Sequence, residues 1–148
     1  MSLCYKVNMD ATVLKSTKSV GIGVIVRDHM GDVLAALSMQ LPLPLVPLEA
    51  EAKAMDVAIS FTKVIVLQEV IFESDCSVLI GALSDTSKVP ISIENIVTGI
   101  HNKVQHFRQH QMLHVKRQGH TPAHHAKGLD NFVTWIEETP SFIEFAVI

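Results

Sequence analysis

The sequence predicts an α/β fold in which helices pack on a mixed β-sheet. Three observations carry that prediction. Residues before Leu41 read as strands, with period-two alternation and a hairpin turn. A Pro-rich break, "LPLPLVPL" from Leu41 to Leu48, forbids a helix and favours an extended connection. After it, helical and strand-like patterns alternate, giving the order β-β-β-α-β-α-α-β-α, as expected of helices covering a sheet with parallel members.

Each element has its own signal. In "LCYKVNM", Leu3, Tyr5, Val7 and Met9 alternate with Lys6, Asn8 and Asp10, so Asp10 should end the first strand. "VGIGVIVRD" and "VLAALSM" flank "HMGD", whose glycine suits a hairpin turn. "LEAEAKAMDVAISFTKVI" repeats apolar residues at Met55, Ala58, Ile59 and Thr62, the spacing of a helix with one buried face. "VIF" is a short apolar run suited to a strand covered on both faces. "DCSVLIGAL" reads as a helix capped by Ser74 or Asp75. "SIENIVTGIHNKVQHF" is a second helix, "MLHVK" a last strand, and "HTPAHHAKGL" opens a terminal helix. Nothing in the pattern divides the chain, so residues 1–148 read as one domain.

Composition narrows the class. Of 148 residues, 48% are hydrophobic, and mean hydropathy is +0.31, which excludes wholesale disorder. The apolar stretch "VIVLQEVIF" is broken by Gln68 and Glu69, and no run approaches the roughly 20 residues that cross a bilayer. "MSLCYKVNMD" carries Lys6 and Asp10 where a signal peptide needs an apolar core. The expectation is a soluble, intracellular protein without a membrane role, in the nucleus or the cytoplasm. Cys4 and Cys76 form no disulfide or zinc pattern.

Net charge is −3, yet residues 95–129 contain no acid and hold Lys103, Arg108, Lys116, Arg117 and Lys127 with seven of the eight histidines. Such asymmetry suits a phosphate-facing surface beside a carboxylate site, or simply a solvated basic helix and loop.

The acids point to chemistry. If the first and fourth strands are parallel neighbours, Asp10 and Asp75 lie together beyond their carboxyl ends, where open α/β sheets bind ligands. Glu51 shares a helical face with Met55, Ala58 and Thr62, whereas Glu49 and Asp56 fall off it. A glutamate on a buried stripe needs a partner. Three converging carboxylates repel unless a cation neutralises them, and hard oxygen ligands suit Mg²⁺ or Mn²⁺. Each acid also has a plain alternative: Asp75 as a helix cap, Glu51 as a first-turn charge, Asp10 as a turn former.

"KVNMDA", "GIGVIVRDHMGDVLAA", "AEAKAMDVAI", "ESDC" and "VKRQGHTPAHHAK…WIEETPSFI" follow one another in order. Together, from Lys6 to about Ile143, they resemble the plant ribonuclease H-like domains related to retroelement reverse transcriptases. The resemblance implies a five-stranded mixed sheet, three antiparallel strands and then two parallel ones, flanked by helices. It implies metal-dependent hydrolysis of the RNA strand of RNA–DNA hybrids with two Mg²⁺ or Mn²⁺ ions. By position, Asp10, Glu51 and Asp75 are the implied catalytic and metal-binding acids, and His124 stands at the fourth acidic position as a further catalytic residue. Lys116, Arg117 and Lys127 are the candidate nucleic-acid contacts, binding the backbone rather than bases. The chain departs from the family pattern in three places: Ala11 where glycine usually follows the first aspartate, His120 where asparagine is usual, and one residue fewer after His124.

Those departures keep an alternative open, a catalytically weak or inactive nucleic-acid-binding or interaction module on the same fold. A zinc site in "GHTPAHHAK" is the third possibility. It is disfavoured because His124 and His125, adjacent on a helix, diverge by about 100° and no cysteine is near.

Overall fold

In a computed structural model, which describes residues 4–116 and the backbone of residues 143–147, the alternating first segment becomes β1 (Tyr5–Leu14), an interior strand of a six-stranded sheet. Next come β2 (Ser19–Arg27), β3 (Val33–Leu41), α1 (Pro47–Val64), β4 (Glu69–Ser74), α2 (Ser77–Leu83), α3 (Glu94–Val104), β5 (Gln109–His114) and β6 (Ile143–Val147). The order across the sheet is β5-β4-β1-β2-β3-β6. β1, β2 and β3 form an antiparallel meander, and β4 and β5 add in parallel beside β1. These five strands have the arrangement that the resemblance implies. β6, which no reading of the sequence anticipated, extends the sheet by pairing antiparallel with β3. The terminal helix expected from "HTPAHHAKGL" lies outside the described residues.

Local chemistry explains the hairpin. Asp28 Oδ1 accepts the N–H groups of Met30 at 2.9 Å and Asp32 at 3.0 Å, and Gly31 takes φ 88°, a left-handed conformation natural to glycine.

Two boundaries differ from the sequence reading, and both matter for the site. β1 does not end at Asp10. Its pairing with β4 stops at Asn8 opposite Glu73, but β2 accompanies it as far as Leu14 opposite Ser19. Nor does the Pro-rich stretch stay extended to its end. Pro47 opens α1, a position where proline's missing N–H has no intrahelical partner to lose.

The core lies between the sheet and α1, α2 and α3. α1 packs on β1 and β2 and against both other helices. Its buried residues are Ala50, Ala52, Ala54, Met55, Ala58, Ile59, Phe61 and Thr62, which include the predicted stripe. Val7, Val24, Val26 and Phe72 join the same core from the sheet with no exposed surface, and Phe107 stacks edge-on against Phe72 with centroids 5.7 Å apart. Each such side chain contributes roughly 1.5–3 kcal/mol on burial, so packing rather than helix propensity fixes where α1 lies. That placement is what carries Glu51 to the sheet.

Candidate metal centre

The parallel β1–β4 pairing brings Asp10 and Asp75 to one end of the sheet. Opposed residues run Tyr5–Val70 to Asn8–Glu73, so Asp10 and Asp75 each stand two residues past the last pair. Asp10 is buried at 3% exposure inside β1, opposite Gly23 of β2, and therefore is no turn former. Asp75 is not the cap of α2, because that helix begins at Ser77, two residues on, with Cys76 at the cap position. Ser74 Oγ instead accepts the Cys76 N–H at 3.1 Å and shapes the corner that holds Asp75.

Glu51 comes from α1. Since the helix starts at Pro47, Glu51 lies in its second turn and the first-turn charge is Glu49. Glu49 turns back to accept the Val46 N–H at 3.1 Å. The two glutamates thus separate as helical geometry requires, one capping and one facing inward. One carboxylate oxygen from each of Asp10, Glu51 and Asp75 lies within 4.8 Å of the others.

The electrostatics of this cluster are unbalanced. Glu51 Oε2 is buried and has no hydrogen-bond partner among the described residues. Burial, then repulsion from Asp10, a hydrogen bond to the Asp10 side chain and repulsion from Asp75 push the Glu51 carboxyl up to about 8. The Ala11 N–H works in the opposite direction on Glu51 and also donates to Asp10 Oδ1 at 2.9 Å. A half-buried carboxyl pushed up by burial and then by two acidic neighbours, with one oxygen unpartnered among the described residues, is a site that a divalent cation would relieve. All three donors are hard oxygens, and the residues fit such an ion. Cys76 is no rival centre of reactivity: burial pushes its thiol up, and the Glu51 and Asp75 charges add to that, so the nucleophilic thiolate is disfavoured.

Of the other predicted residues, Lys116 is exposed just after β5, on the path leaving the Asp75 corner. His124, Arg117 and Lys127 lie outside the described residues, as do His120 and His125. Two contacts near the acids escaped the sequence. Asn8 bonds to Glu73 across the strands, and His114 Nε2 lies 3.3 Å from the Asp75 carbonyl, which can only accept, so that nitrogen carries the hydrogen. Val115 N donates to the Ser74 carbonyl at 2.9 Å, and β5 thereby braces the corner from outside. None of the described helices is long and apolar enough to cross a membrane.

Comparison with known proteins agrees with this architecture. RNase H1 from the halophilic archaeon Halobacterium salinarum NRC-1 superposes with a TM-score of 0.77 at 13% identity, over 86% of this chain and 98% of that one. LC11-RNase H1, isolated from compost and solved in complex with an RNA/DNA hybrid, gives 0.72 at 17% identity, over 82% and 92%. The N-terminal RNase H domain of Rv2228c from Mycobacterium tuberculosis, solved as a fusion with maltose binding protein, gives 0.68 at 17% identity, over 77% and 88%. At these identities the likeness is one of fold, and the fold is RNase H-like. No curated protein sequence matches the chain. A family model described as reverse transcriptase-like matches residues 8–127, which is most of the chain. The chain therefore belongs to the reverse transcriptase-like family.

Proposed function

We propose that this protein is a metal-dependent endonuclease of the ribonuclease H type, hydrolysing the RNA strand of RNA–DNA hybrids. The observation that carries the reading is the convergence of a carboxylate oxygen from each of Asp10, Glu51 and Asp75, with Glu51 Oε2 buried and unpartnered among the described residues. Asp10, Glu51 and Asp75 would hold Mg²⁺ or Mn²⁺, with two ions at full occupancy. Bound divalent ions supply a nucleophile at neutral pH and charge stabilisation at the departing 3′ oxygen. The protein's own part is to hold three carboxylates together before the ions arrive, Glu51 giving up its proton as they bind.

His124 is the proposed proton carrier beside the leaving group, since imidazole titrates near neutral pH. Lys116, Arg117 and Lys127 are the proposed contacts to the nucleic-acid backbone, contributing affinity that falls with salt rather than base specificity. Recognition of a hybrid then rests on groove shape and 2′-hydroxyls. The RNA/DNA hybrid bound by LC11-RNase H1, a structure of the same fold, supports this choice of substrate. The segments "KVNMDA" and "ESDC" support a lineage among plant ribonuclease H-like domains related to retroelements.

The test is a labelled RNA–DNA hybrid incubated with the protein and Mg²⁺ or Mn²⁺, beside Asp10→Asn and Asp75→Asn. Metal-dependent cleavage lost in both variants supports the enzyme. Hybrid binding with no cleavage under either metal replaces it with the binding-module reading, which Ala11 beside the acids would favour. Absence of both sinks the two nucleic-acid readings together.

A further inference from the structure

The strands that carry Asp10 and Asp75 are tied to each other just before the acids. Asn8 precedes Asp10 by two residues, and Glu73 precedes Asp75 by two. They are the last opposed pair of the parallel β1–β4 ladder, and Asn8 Nδ2 donates to Glu73 Oε1 at 3.1 Å. Past this point the strands part company: β1 continues against β2 to Leu14, and β4 ends at Ser74. The bond therefore ties the two backbones at the end of their ladder, just before they present their carboxylates.

The chemistry of the pair is specific. Glu73 is not among the three acids whose oxygens come within 4.8 Å of one another, so it stands outside the cluster while sharing its neighbourhood. An amide at position 8 offers a donor and no charge. It engages the Glu73 carboxylate without adding to the field on Asp10, as a carboxylate would, or drawing the acids toward itself, as an ammonium would. The pair is half-buried, where water competes less for the bond.

We propose that Asn8 and Glu73 form a positioning pair that fixes the separation of the β1 and β4 ends, and with it the spacing of Asp10 and Asp75 for a divalent cation. The proposal rests on the reading of those acids as a cation site. Partners hydrogen-bonded directly to metal ligands change affinity by about 10–100-fold when removed; this pair acts through two residues of backbone, so about three- to tenfold is expected.

The experiment is calorimetric titration of the full chain with Mn²⁺, with thermal unfolding recorded alongside. The variants are Asn8→Ala, Glu73→Ala, the double variant and Glu73→Gln, with Asp10→Asn as the reference for loss of the site. A positioning pair gives the same loss in both alanine variants, about three- to tenfold, and no further loss in the double variant, because either substitution breaks the one bond. Glu73→Gln keeps an acceptor oxygen and stays within about twofold of wild type. On hybrid substrate, kcat at fixed Mn²⁺ falls in step with affinity while KM holds. If Asn8→Ala does not fold, Glu73→Ala probes the same bond from the other strand. Unchanged Mn²⁺ affinity in the alanine variants, with affinity lost in Asp10→Asn, overturns the pair and leaves the cation site standing. Loss in Glu73→Gln without loss in Asn8→Ala overturns it too, by making Glu73 a ligand. A wild-type chain that binds no Mn²⁺ overturns the pair and the cation site together.

Discussion

The two ends of α1 both hold a residue in an unfavourable state, and the two states differ in kind. Near the start, Glu51 is half-buried against two other acids, with its Oε2 buried and unpartnered among the described residues. Just past the end, Val66 takes φ 62°, a left-handed conformation that a β-branched side chain resists. The reason for the second is local. The N–H of Leu67 reaches back to the Thr62 carbonyl and that of Val66 to Lys63, both at 3.1 Å, a helix ending that usually has glycine at Val66's position. Val66 is 71% exposed and the turn serves to send Leu67 into the core. A cation can remove the cost at Glu51; only a substitution can remove the cost at Val66. Unfavourable energy that a ligand would relieve points to function, and unfavourable energy that only a different residue would relieve points to turn geometry.

Four measurements test whether the two ends of α1 differ in this way, in descending order of effect. If the acid cluster is where function resides, Asp10→Asn and Asp75→Asn each lower hybrid cleavage by about three orders of magnitude or more, roughly 4 kcal/mol of transition-state stabilisation. Their thermal midpoints in metal-free buffer should not fall, since each removes a charge from a repulsive cluster. A variant that unfolds instead would make the acid structural.

The next effect concerns pH and stability without metal. Folded Glu51 keeps its proton up to about pH 8, whereas in the unfolded chain it releases it near the ordinary value of 4.5. Between those values the unfolded state binds fewer protons at this group, so the Glu51 contribution to stability is greatest below 4.5, falls as pH rises to about 8, and then levels. The accumulated loss is on the order of a few kcal/mol. Denaturant melts across this window should show the slope in wild type and lose it in Glu51→Gln.

The same proton competes with metal. Mn²⁺ affinity should rise by up to roughly tenfold per pH unit while Glu51 is protonated, and level off above about 8. Calorimetry in buffers of different ionisation enthalpy would count the released proton, and a pH-independent affinity would contradict the role of Glu51. The smallest effect lies at the other end of α1. Val66→Gly should stabilise the protein by about 1 kcal/mol, relief of left-handed strain exceeding the added entropy of glycine, with cleavage unchanged. A change in activity there would erase the distinction between the two ends.

What the sequence made legible was whatever repeats or stays local. Alternation located β1, the glycine of "HMGD" located the hairpin, and helical spacing separated Glu51 from Glu49. Signals that depend on distant partners left no such trace. β1 runs on to Leu14 because β2 stays beside it, not because its own residues demand it. β6 exists through pairing with β3, more than a hundred residues earlier in the chain. Asn8 with Glu73 and His114 with Asp75 join residues 65 and 39 positions apart, and no periodic pattern encodes such bonds. Pro47 misled for a different reason: proline breaks a helix interior and begins a helix equally well, and only its neighbours decide which.

The overhang of β1 beyond β4 has a spectroscopic consequence. Past Asn8 the β4 side of β1 has no opposed residue in the ladder, and the Ala11 amide finds carboxylate oxygen instead: Asp10 Oδ1 at 2.9 Å, with Glu51 also in reach. A backbone amide resonance held by carboxylates rather than by a neighbouring strand reports their charge directly. Under nitrogen-15 detection, the Ala11 cross-peak should move as Glu51 titrates and shift or broaden first on adding a diamagnetic or paramagnetic divalent ion. The fold thereby carries its own indicator, readable in a protein that has never met a substrate.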